Sequence, residues 1–229
     1  MKKKIIKFAS ELDFINLPQP ALKYLPDWYK KTKTYIDEAP TKIQSGKTFK
    51  HCIPFLDSMT SGYIYEIYAD LEVHQVNGSP NFLWRSQDYQ LLGTKQDGSS
   101  GLMEIPEGYS QTLHSFNHNL YIKTPPGYSI LITQPFNRTD LPFYALSGIV
   151  DTDKNPMFPG GYPLFLKNNF EGVIPKGTPI LQIIPFKRES WKSKYDHSLL
   201  NEGRIIKKIA GSIIEFWYKK NGWVRKHYE

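Results

Sequence analysis

From Tyr63 the chain alternates: Tyr63, Tyr65, Ile67, Ala69, Leu71 and Val73 are apolar and share one parity. Successive side chains of an extended backbone leave on opposite sides, so this period predicts a strand with one buried face. Further strand candidates follow at 81–86, 102–105, 120–124, 129–135, 143–151, 162–168 and 179–186. Turn residues separate them: Asn77-Gly78, Asp97-Gly98, Pro125-Pro126-Gly127, Pro159-Gly160-Gly161 and Pro175-Lys176-Gly177. Many short strands at close spacing point to a barrel or sandwich rather than a parallel sheet with crossover helices. The 229 residues, with 15 Tyr, 13 Phe and 5 Trp, carry enough apolar area for one sizeable core with appendages, which excludes a disordered chain.

The flanks read differently. Residues 1–61 form an N-terminal extension whose start, Lys2 to Phe8, is a first strand with a basic tip and too little apolar length for a signal peptide. Leu25–Lys31 predicts a short helix entered through Pro26, with Asp27 in its first turn favouring the helix dipole. Cys52–Met59 predicts another that stops near Gly62. Residues 62–190 hold the strands. In 191–229, Ile205, Ile206, Ile209, Ile213, Phe216 and Trp217 recur at three- and four-residue steps, which predicts an amphipathic helix. Asn221-Gly222 then supplies a helix stop. Its stripe is expected to pack on the chain's own β-domain, so no membrane partner is expected.

Net charge is +7, with the excess at the ends: Lys2, Lys3 and Lys4, then Lys207, Lys208, Lys219, Lys220, Arg225 and Lys226. Such ends bind acidic surfaces or simply keep a protein soluble, and the solubilising role is the expectation. One cysteine, Cys52, excludes an internal disulfide framework. No apolar run approaches the roughly 20 residues that span a bilayer. A soluble, intracellular protein is expected.

Three stretches, in order, resemble the dUTPase and dCTP deaminase family. The run Ser61-Gly62-Tyr63 through Ala69 is similar to its opening strand after a small-Gly-Tyr turn. Ile122-Lys123-Thr124-Pro125-Pro126-Gly127-Tyr128 looks like its strand, Pro, Gly-Tyr, strand element. Gly148-Ile149-Val150-Asp151 resembles its Gly-hydrophobic-hydrophobic-Asp motif, and Ile174 to Gln182 its closing hairpin. The resemblance spans about 130 residues of the 229. It implies a mainly β protein, a β-clip (dUTPase-like) barrel or sandwich, to which the flanks read above add short N-terminal helices and a C-terminal amphipathic helix. Trimers with sites between subunits are common in the family. In its dUTPases the third-motif Asp activates a water that attacks the α-phosphate, with Mg2+ on the phosphates.

Asp151 holds that position, yet its supports depart from the pattern. The Arg-Ser pair of the second motif is replaced by Gln134 to Thr139, where only Arg138 and Thr139 could take the part, with Gln182 as a third nucleotide contact. The first-motif Asp is Ile64, and the strand Tyr162 to Asn168 lacks the Glu of a deaminase. Phosphoryl transfer needs charge stabilisation as well as a base, so a lone Asp is a poor catalyst. Asp151 is therefore read as a turn residue accepting backbone hydrogen bonds.

Other constellations yield less. His114 and His118 stand four apart on a strand or loop, not a helix, and are read as surface or satisfied core histidines rather than metal ligands. Asp151, Asp153 and Asn155 alternate like a calcium loop but lack its Gly and distal Glu. Cys52, beside His51, is read as a buried structural thiol. Gly160-Gly161 is a turn, not a phosphate loop. Phe186 to Lys192 mixes aromatics and bases as single-stranded nucleic-acid binders do.

The expectation is thus a non-catalytic protein acting through homo-oligomeric assembly, as a trimer or with other bacteriophage proteins, in the virion or the host cytoplasm. No metal or cofactor is expected. The alternatives are a nucleotide pyrophosphohydrolase with a rebuilt site, which would need Mg2+, and a nucleic-acid-binding accessory protein.

Overall fold

The computed structural model describes residues 4–36, 46–77, 79–84, 89–94, 104–156, 160–211 and 217–229. Two of the sequence's proline–glycine pairs shape the scaffold. Pro125 and Gly127 (φ +82°) close a reversal with Tyr128 N–H donating to the Pro125 carbonyl at 3.2 Å. Pro175 and Gly177 (φ +88°) do the same, Thr178 N–H donating to Pro175 at 3.1 Å. Proline fixes its own φ and glycine tolerates the positive one, so each reversal is written locally.

The strands are β1 (Lys7–Ala9), β2 (Gln19–Pro20), β3 (Tyr63–Glu66), β4 (Leu71–Val76), β5 (Ser79–Trp84), β6 (Leu92–Thr94), β7 (His114–Asn117), β8 (Tyr121–Lys123), β9 (Tyr128–Thr133), β10 (Phe143–Ala145), β11 (Gly148–Val150), β12 (Gly161–Leu166), β13 (Gly172–Ile174) and β14 (Pro179–Lys187). Helices α1 (Asp27–Lys31) and α2 (Ile53–Thr60) precede β3, and α3 (Ser198–Ala210) follows β14. The protein is mainly β, and among the described residues every strand pairing is antiparallel. One sheet runs β11-β9-β14-β3-β2, a second β10-β12-β7-β6, a third β13-β4-β5, and β1 pairs β8. The core joins residues of the first three sheets, with Phe116, Ile130, Ile132 and Ile183 fully buried. Tyr162 of β12 donates to the Ile132 carbonyl of β9 at 2.9 Å, and Tyr65 of β3 to the His118 carbonyl at 2.6 Å, tying layer to layer.

The N-terminal extension is woven in: β1 and β2 pair with β8 and β3, and Ile15 joins the core. The continuous alternation from Tyr63 to Val73 breaks at 67–70 into β3 and β4. Ile64, on the opposite parity, is as buried as Tyr65, so both faces of β3 are covered, the Ile64 face lining a cleft with Tyr24, Met59 and Phe136. The stretch 143–151 likewise divides into β10 and β11, which join different sheets. The strand expected at 102–105 falls partly outside the described residues, and Glu104 and Ile105 are not in a strand; Asp97-Gly98 falls wholly outside.

Two expectations are corrected. Cys52 is exposed, not buried: it stands between a 3-10 turn (Phe49–His51) and α2, its carbonyl accepting from Leu56 N–H at 3.2 Å. Over its described part in α3 the stripe does not pack on the β-domain: Ile205 and Ile209 are exposed, Ile206 is half-buried and within α3 only Ala210 is buried, while Ile213 and Phe216 lie outside the described residues. The stripe states that a face is apolar, not what covers it. Among the described residues no helix is long and apolar enough to cross a membrane.

Candidate functional site

Asp151 follows β11 directly, at the end where β11 lies beside the start of β9. Its Oδ1 accepts from Ser129 Oγ at 2.5 Å and faces Arg188 Nη1 at 3.3 Å, while 59% of the side chain stays exposed. Arg188 comes from just past β14, whose last residue, Lys187, pairs with Tyr128. Its guanidinium is committed elsewhere: Nη1 donates to Asp153 Oδ1 at 2.7 Å, and Nη2 donates to Asp153 Oδ2. Asp153 is only 3% exposed. Arg188 holds its carboxyl well below the usual carboxylate range, against the opposing pull of burial, with help from the Gly127 N–H at 2.8 Å. Arg188 Nη1 also donates to Ser129 Oγ at 2.8 Å, and Thr124 and Thr152 share a hydroxyl hydrogen bond at 2.7 Å beneath. The cluster thus fastens the Pro125–Gly127 reversal to the 151–154 turn, closed by Lys154 N–H on the Asp151 carbonyl at 3.1 Å. That turn is what stands at the calcium-like alternation.

The other candidates gather at the far end of β9. Gln182 pairs with Thr133 in the sheet, and Arg188 follows Lys187, which pairs with Tyr128. Four residues of strand separate Ser129 from Thr133, roughly 13 Å. Gln182 is fully buried and its amide is used up: Nε2 donates to the Ser58 carbonyl at 2.8 Å and the Ser61 carbonyl at 2.7 Å, and Oε1 accepts from Phe136 N–H at 2.9 Å. Arg138 clasps Asp140 with two bonds of 2.8 Å. Burial raises the Asp140 carboxyl, and the Arg138 pair outweighs it to leave a net lowering. Thr139 is exposed, its carbonyl accepting from Lys167 Nζ at 3.2 Å. Arg138 and Gln182 line one cleft with Tyr24, Ile64 and Phe136, of about 10 Å³, which is room for about one water. Within one chain, then, Arg138 and Gln182 come together and Asp151 does not join them.

Arg188 and Asp153 are the residues that sequence reasoning passed over as a pair. Arg188 belonged to the presumed nucleic-acid segment, but its guanidinium is spent on Asp153. The registers of β14 and of β11 on β9 bring the two together, and no local signal encodes either register. Among the described residues no group of three or more His, Cys, Asp or Glu is gathered for a metal ion. The carboxylate that a Mg2+-phosphate would approach faces a guanidinium instead, so this donor set does not fit a divalent cation. His114 and His118 are both buried; His118 Nδ1 accepts from Leu120 N–H at 3.1 Å, whereas neither His114 nitrogen has a partner.

The amide of Gln182 gives a direct test of its role. Gln182→Leu keeps the volume but strands two carbonyls and one N–H inside the protein. A loss of about 3 kcal/mol is expected in urea unfolding, from several unsatisfied buried groups.

No family model matches the chain, and no curated protein matches it. Among solved structures it is similar to a point mutant of the dUTPase of Staphylococcus bacteriophage 80alpha, at 8% identity and a TM-score of 0.36, over 84% of this chain and 96% of that one. A likeness of that strength assigns no activity to this chain.

Proposed function

We propose that the chain is a non-catalytic, dUTPase-like β-clip protein that works by assembling with copies of itself, as a trimer, within a bacteriophage particle. One observation carries the non-catalytic part. The side chains that could hold a triphosphate are already engaged inside the chain: Arg138 on Asp140, Gln182 on three main-chain groups, Arg188 on Asp153. Freeing any of them would cost the bonds it now makes, so binding energy would go into dismantling the fold rather than into stabilising charge on phosphate oxygens.

The assembly part is supported by the sheet edges. Among the described residues β11 ends the five-stranded sheet with no strand beyond it, and Ile149 on it is 66% exposed. β13 ends the third sheet and carries exposed Val173. Long-lived monomers blunt such edges with charge or proline, and these edges carry aliphatic residues. The trimer and the phage setting come from the motif resemblance, with virion or host cytoplasm as the location and other phage proteins as further partners.

Solution mass separates the readings. The native chain is expected to sediment as an oligomer, and Ile149→Asp to shift it toward monomer by placing a charge in the interface. Incubation with Mg2+ and each deoxynucleoside triphosphate is expected to release no pyrophosphate; release abolished by Asp151→Asn would establish the pyrophosphohydrolase reading instead.

A further inference from the structure

The approach to α3 and α3 itself form one exposed surface. Trp191 is 88% exposed, and Tyr195 and Leu199 follow it into solvent. At 3.6 residues per turn, Leu199, Ile205, Ile206 and Ile209 fall within an arc of about 120°. Ile206 is half-buried and Ala210 buried along its inner margin, which turns Ile205 and Ile209 outward, the latter 68% exposed. Arg204, Lys207 and Lys208 occupy the opposite face. Over 191–211 the basic residues are Lys192, Lys194, Arg204, Lys207 and Lys208, and the acidic ones Asp196 and Glu202, so five minus two leaves +3. Asp196 is engaged at the helix start, accepting from Ser198 N–H at 3.0 Å and Ser198 Oγ at 2.7 Å.

We propose that this surface seats peripherally on an anionic lipid membrane, the Ile205/Ile209 stripe entering the headgroup boundary and the basic residues meeting lipid phosphates. The proposal goes beyond the assembly reading and does not rest on it. A helix with a narrow apolar stripe, a basic polar face and flanking aromatics lies in the interfacial plane because each part finds its own layer there. Trp191 and Tyr195 suit headgroup depth, where an apolar ring keeps one polar edge wet. Thirteen residues of helix extend about 20 Å, too short to cross the hydrocarbon. Nucleic acid fits the charge but not the stripe, since aliphatic side chains have no ring on which bases stack. A second copy would cover the stripe but leave the net +3 of the surface without a counter-charge.

The test uses the full chain with vesicles of phosphatidylcholine alone and of phosphatidylcholine mixed equally with phosphatidylglycerol, at low and high salt. Expected are flotation with the anionic vesicles, little with the neutral ones, and release at high salt, where the Debye length shrinks to about 3 Å. Lys207→Gln and Lys208→Gln are each expected to weaken binding about fivefold. Ile205→Ser with Ile209→Ser is expected to abolish it while leaving the thermal midpoint unchanged, because these side chains are exposed. A blue shift of tryptophan emission on binding, lost in Trp191→Phe, reports the surface directly. No flotation with anionic vesicles, equal flotation with neutral ones, or flotation that survives the serine pair overturns the proposal. So does self-association that the serine pair, rather than Ile149→Asp, disperses.

Discussion

Gly62→Ala is expected to cost more than about 4 kcal/mol, enough to leave the domain largely unfolded at 37 °C. Gly62 stands at the mouth of β3 with φ +74°, and a Cβ there would lie 2.2 Å from the Ile183 carbonyl oxygen and 3.0 Å from Ile184 Cγ1. The first obstacle is main chain, not the end of a flexible side chain. Ile183 belongs to the central strand β14, which pairs with β3 on one side and β9 on the other. Relief therefore requires parting β3 from β14 where Ile183 meets Tyr63. The Ala21 N–H bond to the Gly62 carbonyl, at 3.0 Å, would move with it and loosen the junction with β2. Gly177→Ala is the control. Gly177 also has a positive φ, +88°, but its added Cβ would meet nothing closer than Glu66 Oε1 at 4.0 Å. The conformational penalty alone, about 1 kcal/mol, is expected there. Urea midpoints of the two variants separate overlap from backbone strain; similar losses in both would show that β3 and β14 are less closely joined than described.

The same two glycines mark what the sequence discloses. Where a structure is fixed by its own few residues, the reading reached it: both proline–glycine reversals, α1 after Pro26 and α2 after Cys52 stand where local chemistry places them. Where it depends on a distant partner, the sequence was silent. Alternation from Tyr63 to Val73 looked like one strand because parity persists across 67–70, although β3 and β4 enter different sheets. One-sided burial was inferred for β3 because a period cannot report a sheet whose two faces are both covered. The candidate site divides the same way. Asp151 was visible from its Gly-hydrophobic-hydrophobic context, but its neighbours Asp153 and Arg188 are a pair made by strand register across 35 residues. Gln182 was visible as the end of the closing-hairpin motif; that it is consumed by Ser58, Ser61 and Phe136 depends on where α2 ends and the 135–138 loop lands.

Acid is expected to unfold this protein in a window set by its two buried histidines. Burial pushes both His114 and His118 down to about 4, from an ordinary 6.5. Between those values the unfolded chain binds the protons that the folded one refuses, so stability is complete above about pH 6.5 and declines as the pH falls toward 4. Two and a half units at 1.36 kcal/mol each give about 3 kcal/mol per histidine, and both together approach the whole stability of an ordinary domain. At pH 5 the expected joint loss is about 4 kcal/mol. The carboxylates held low, Asp153, Asp140 and Asp196, add their own loss only below about pH 4, where the unfolded carboxylates protonate. Urea midpoints from pH 7.5 to 4.5 thus isolate the histidines. The two differ in what replaces them. His114 of β7, edge-on to Phe82 at 4.7 Å, has no hydrogen bond to lose, so His114→Leu is expected to be neutral or stabilising at pH 7.5 and to halve the acid loss. His118→Leu halves it too, but strands the Leu120 N–H and so lowers stability at pH 7.5 by about 1–3 kcal/mol, a deficit that narrows toward pH 5. A midpoint flat from pH 7 to 5 in the native chain would mean that water reaches these rings, and that β7 does not lie in the interior.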